Sequence, residues 1–156
     1  MASAVATDKI ACNWFIKNYD HDPGTNAVKV ISADGGTTEI WFDLRDYDQI
    51  GFLVCAPIGT TQNCSLLEIV AADSKSEGDS SVTVVKASDA LTVNLVAEGA
   101  FQECTAEEVS HLASTYELRY VTARITLNGH ASDNECQVVV FAHVRRPHDA
   151  VTAASW

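Results

Sequence analysis

Few residues in this chain can loosen or break a fold: 156 positions hold only three prolines and eight glycines, far below the fractions that mark collagen-like or low-complexity chains. No apolar run approaches the roughly 18 residues of a membrane-spanning helix. The first nine residues, Met1 to Lys9, include no apolar stretch of leader length. The five cysteines (Cys12, Cys55, Cys64, Cys104 and Cys136) are scattered, odd in number and free of any C-x-x-C pair. That pattern fits reduced thiols in a protein made in a cytosol rather than a disulfide framework. Cys55 and Cys64 flank a short loop that would let them approach, but buried free thiols are the preferred reading, because cysteine is among the most often buried residues.

Positive charge is scarce as well. Ten Lys and Arg stand against 21 Asp and Glu, for a net charge of −11. Between Glu68 and Glu117 ten acids face only Lys75 and Lys86. Such a surface repels phosphate backbones, whose binding needs clustered cations, so nucleic acid is not an expected partner; nor is a membrane, for want of a spanning apolar run. Arg145-Arg146 is too short to reverse this.

Motifs for chemistry are missing too. There is no G-x-S-x-G, and Gly35-Gly36 is followed by Thr-Thr-Glu, with no lysine to reach a phosphate. His21 lies in a turn cluster, His111 in an expected short helix, His130 in a polar loop, and His143 and His148 around the last strand. A His143/His148 metal pair lacks a third ligand at ligand spacing. Asp20, Asp22 and Asn26, or Asp73, Glu77 and Asp79, offer calcium-type oxygens, but neither set has the spacing of a twelve-residue calcium loop, and solvated turns use the same residues. Glu107-Glu108 are sequence neighbours and need not face each other across a cleft. No catalytic residue, metal site or cofactor is therefore assigned.

What the chain does have is short β-rich runs punctuated by turns. Strands are expected over 12–19, 27–31, 38–44, 50–56, 65–71, 82–85, 91–96, 118–127 and 137–144. Asp34-Gly-Gly36 marks a tight turn and 73–81 an exposed polar loop. In 38–44, Ile40, Phe42 and Leu44 share one face, while Trp41 sits with Glu39 and Asp43 on the other. Trp41 is thus expected to be exposed or covered by another chain, whereas Trp14, on a face with Ile16, reads as core. The last two runs are expected to pair as a hairpin with a long loop. Thr105-Ala-Glu-Glu108 matches a capping box, and predicts a short helix ending near Ser114.

The fold class expected is all-β, an antiparallel β-sandwich or jelly-roll-like domain with one short helix. Residues 1–9 read as an N-terminal arm, 10–146 as the sandwich and 147–156 as a C-terminal arm. The third tryptophan, Trp156, ends the chain. A lectin-like platform of Trp14, Trp41 and Trp156 is one alternative. Contact with another protein is favoured, since aromatics are enriched at interfaces.

Four segments carry a resemblance: Asp43-Leu-Arg-Asp-Tyr-Asp-Gln-Ile-Gly-Phe-Leu-Val54, residues 66–73 ending in Ala71-Ala-Asp73, Cys104-Thr-Ala-Glu-Glu-Val109, and Tyr120-Val-Thr-Ala-Arg-Ile-Thr126. Together with an Arg-Pro-containing tail, they resemble small virion proteins of tailed bacteriophages, in particular capsid decoration (cement) proteins. The resemblance spans about residues 38–147, and the loop after Asp73 departs from the glycine-rich form usual in that group. It implies a jelly-roll-like structural protein, often a homotrimer, made in the host cytoplasm and seated on the major capsid protein at the outer surface of the virion. Trp41, Arg145, Arg146 and Trp156 are the residues expected to meet a neighbour. A tail or head–tail component and a carbohydrate-binding module are the alternatives.

Overall fold

The computed structural model describes residues 14–21, 29–33, 38–55, 63–87, 93–94, 99–112, 115–128 and 136–145. Both expected arms, with Arg146, His148 and Trp156, lie outside the described residues, as do Cys12, Asp22, Asn26 and His130.

Two antiparallel sheets pack face to face, and the protein is an all-β sandwich. One sheet runs β1 (Trp14–His21), β12 (Cys136–Val144), β6 (Tyr47–Cys55), β10 (Ala100–Thr105). The other runs β2 (Lys29–Val30), β11 (Tyr120–Asn128), β7 (Asn63–Ala72), β8 (Thr83–Ala87), with β5 (Phe42–Asp43) added to β11 and β9 (Val93–Asn94) to β7. β3 (Ser32–Ala33) and β4 (Thr38–Glu39) pair separately; the turn expected at 34–36 between them lies outside the described residues.

The pairing is nested. β1 bonds to β12, β2 to β11, β6 to β10 and β7 to β8. First meets last and the middle strands meet each other, as when one long hairpin is wrapped into two layers. This is jelly-roll order, two Greek keys closing on one core.

Alternation on each strand fills that core. From the four-stranded sheet, Ile50, Phe52, Val54, Val138, Val140 and Ala142 point inward; Leu67, Ile69, Val121, Ala123, Ile125 and Leu127 answer from the other sheet. All are fully buried, and each large one contributes about 1.5–3 kcal/mol. Phe42 is the hub of the aromatic cluster, with ring centroids of Phe15, Tyr47 and Phe52 at 6.2, 5.9 and 6.0 Å. These tilted and edge-on geometries suit the ring quadrupole.

Several expectations need correction. β11 and β12 do not form a hairpin: β11 pairs with β7 and β12 with β6, in opposite sheets. Their alternation marks inward faces correctly, but an inward face does not name an edge partner. The two strands therefore face each other across the core, in sheets that pack roughly 10 Å apart. β10 was not expected at all. Its inward positions are Ala100, Gln102 and Cys104, while its one large apolar residue, Phe101, points out, so the usual apolar alternation is inverted. The run 38–44 splits into β4 and β5, because the chain changes partner from β3 to β11 around Ile40, whose N–H donates to Ile31 O at 2.9 Å.

The helix α1 (Ala106–Ser110) has the expected capping box: Thr105 Oγ1 accepts from Glu108 N at 3.1 Å, and Glu108 Oε2 accepts from Thr105 N at 2.8 Å. It stops four residues short of Ser114, at the C-cap His111. Ser110 Oγ donates back to Glu107 O at 2.7 Å, and the residues that follow His111, Leu-Ala-Ser-Thr, end in types that favour turns over helix.

Candidate protein-binding face

The chemistry-bearing side chains are dispersed, and most are already satisfied. Asp79 Oδ2 accepts from Ser74 Oγ at 2.6 Å and Oδ1 from Ser81 N at 2.8 Å, while Asp73 Oδ1 accepts from Ser81 Oγ at 2.8 Å. These bonds hold the Asp79 carboxyl below its ordinary range. The candidate calcium loop thus ties itself together: Glu77 contributes its backbone N–H to Glu39 Oε2 at 2.8 Å. Asp20 accepts from Gln137 Nε2 at 2.7 Å. His21 is buried, its Nδ1 at 3.3 Å from both Ser32 Oγ and Ser32 N. His111 caps the helix, and His143 Nδ1 lies 3.6 Å from Asp48 Oδ2. Glu108 is taken by Lys86 and Thr105, which lower its pKa, whereas Glu107 lines an open groove beside Arg45, Arg119 and Arg145. Among the described residues no group of three or more His, Cys, Asp and Glu could hold a metal ion. Cys55, Cys64, Cys104 and Cys136 are free thiols; burial pushes Cys64 up to about 11 and, with the Glu108 charge nearby, Cys104 up to about 12.

Trp41 is not an exposed anchor. It lies on the expected face with Glu39, but it is only 7% exposed. It packs with Val30, Val70 and Ala72 as a second cluster on the outer side of the six-stranded sheet, flanked by Val82 and Tyr120. Its indole N–H donates to Glu39 Oε2 at 2.8 Å. The chain covers Trp41 by itself, so the aromatic platform expected for carbohydrate has lost its central member. Arg145 is exposed and already occupied: Nε donates to Asp48 Oδ1 at 2.6 Å.

The unsatisfied surface is elsewhere, on the outer face of the four-stranded sheet. Strand register sets two rows across it. One runs Ile16, Phe141, Gly51, Glu103; the next runs Asn18, Val139, Leu53, Phe101. Ile16 is 62% and Phe101 51% exposed, with Phe141, Val139 and Leu53 partly exposed between them. β1 is thus turned opposite to expectation: Phe15 is core and Ile16 faces out, while the Trp14 side chain lies outside the described residues. A shallow depression of about 460 Å³ sits on this face, lined by Gln49, Gly51, Leu53, Phe101, Glu103 and Phe141. Apolar residues from all four strands of the sheet thus meet on this one face.

Sequence reading passed over this face because its residues come from four strands far apart in the chain. Phe101 standing between Ala100 and Gln102 carried the one local sign. Compared with protein-family models, curated proteins and solved structures, the chain matches none. Among the described residues no helix is long and apolar enough to cross a membrane.

Proposed function

We propose that this chain is a structural virion protein that binds the outer surface of a tailed-phage capsid and cements it. The observation that carries the proposal is the exposed apolar face of the four-stranded sheet. A filled interior and a bare outer face suit a protein that works by contact. The jelly-roll architecture hosts viral coat proteins, lectins and cupins alike, so architecture does not choose among them; the segments resembling decoration proteins do, and they include β6, which runs through the middle of the face. Affinity for the assembled shell stabilises it by mass action. A homotrimer bound across seams between major capsid protein subunits multiplies that affinity through linked contacts.

Cryo-electron microscopy of the source particle tests the reading. Density for the sandwich on the outer shell, with the apolar face turned toward capsid subunits, is the expected result. A ring or tube location would favour a tail or head–tail component, and absence from the particle would end both.

A further inference from the structure

Gly51 stands in the middle of β6, a strand flanked on both sides. Glycine weakens a strand interior because it gives up more backbone freedom than any other residue and packs no side chain. The Gly51 φ lies outside the left-handed region, so no turn or bulge asks for glycine here. Space does. A Cβ at this position would lie 3.0 Å from both Cε2 and Cζ of Phe101, whose ring leans across from β10. The missing side chain lets the Phe101 ring lie over Gly51, which is buried, and a depression remains beside it, bounded by Phe141, Leu53, Gln49 and Glu103.

The rim carries the second clue. Glu103 and Asp20, on the two edge strands, each accept from a neutral amide: Glu103 from Gln49 Nε2 at 2.9 Å and Asp20 from Gln137 Nε2 at 2.7 Å. Neither belongs to any of the ion pairs found among the described residues. Asp48, beside this face, is by contrast paired with Arg145. Of these two carboxylates Glu103 lines the depression, and Asp20 stands on the opposite edge strand of the same face.

We infer that the depression beside Gly51 is an anchor pocket that takes one large apolar side chain from a protein segment bearing lysine or arginine beside that anchor. Hot spots have this form, one bulky residue buried in a pocket within a polar rim. Charge complementarity selects the partner. A second copy of this chain would bring the same Glu103 and a net charge of −11 against the Glu103 carboxylate, which costs rather than gains. The inference rests on the reading that the chain acts by binding protein, and it specifies what the capsid subunit must present.

Isotope-labelled full chain titrated with short synthetic peptides tests this without any shell. The probes are a Trp-centred peptide flanked by lysines, the same peptide flanked by glutamates, and an Ala-centred lysine peptide. The Lys-flanked Trp peptide is expected to shift the amide resonances of Gly51, Phe101 and Phe141 and to bind at least about tenfold more tightly than the other two. Glu103→Lys is expected to reverse the preference between lysine and glutamate flanks. Phe101→Ala, at a half-exposed position, and Gly51→Val, which displaces the Phe101 ring, should each abolish the response; if Gly51→Val does not fold, Phe101→Ala and Glu103→Lys still decide.

Equal binding of the acidic peptide, or shifts only elsewhere, overturns the inference. So does a dimer in sedimentation that Phe101→Ala disperses, which would make a second copy the occupant. Peptide binding seen only after removal of residues 146–156 would make the chain's own tail the occupant, and overturns it as well. Shell binding by the same variants separates the two proposals. Peptide binding without shell binding removes the capsid reading alone, and shell binding indifferent to Phe101→Ala and Glu103→Lys removes the pocket alone.

Discussion

The indole N–H of Trp41 and the backbone N–H of Glu77 converge on one oxygen, Oε2 of Glu39, each at 2.8 Å. That carboxylate joins β4 to the loop after β7 and completes the cover of the second apolar cluster. Trp41→Ala is expected to cost about 3–5 kcal/mol, as for other buried aromatics. Glu39→Gln, which keeps an acceptor, should cost less than Glu39→Ala, expected at about 1–3 kcal/mol because it strips a buried donor of its partner. Urea unfolding of the three variants checks the order.

Thiol accessibility follows burial. Cys64, Cys104 and Cys136 are buried, and Cys55 is half-buried with a more modestly raised pKa. In a Cys12→Ser background, alkylation of the native chain near pH 8 is expected to modify Cys55 first, and to reach the other three only as the protein unfolds. Mass spectrometry of timed digests reads this, and early labelling of Cys104 would contradict the placement of β10.

Acid should loosen the chain through two carboxyls whose pKa values are depressed in the fold, Asp79 by Ser74 and Ser81 and Glu108 by Lys86 and Thr105. A depressed folded pKa contributes stability that is present above the unfolded value and is lost as pH falls through the folded one. The loss from these groups therefore begins near the ordinary values of 3.8 and 4.5 and continues below them. The pair Asp79→Asn and Glu108→Gln is expected to unfold with a shallower pH dependence in that window, measured by thermal melts from neutral to acid pH.

The helix stands on its cap. Thr105→Ala removes the acceptor for Glu108 N and is expected to cost about 1 kcal/mol. Thr105→Ser should restore most of it. Hydrogen exchange at Glu108 reports the loss locally, and denaturant titration reports it globally.

How much was legible varies from element to element. The capping box at Thr105 and the inward set Leu67, Ile69, Ala71 could be read directly, because both depend on neighbours within a few residues. Trp41 could be assigned a face but not a cover. Its partners Val30, Val70 and Ala72 come from two other strands, and alternation says which way a residue points without saying what stands there. β10 escaped because Ala100 and Cys104 are small and the large residue faces out.

By itself the sequence determined the fold class, the net negative charge and most inward faces. These follow from period-two patterning and composition, which are local or additive. Only the tertiary structure decided that β11 and β12 part into opposite sheets, that Trp41 is sealed by its own chain, and that Ile16, Phe141, Gly51 and Phe101 share one face. Those are facts of strand order, and strand order is set by long-range pairing through backbone groups that every residue carries alike.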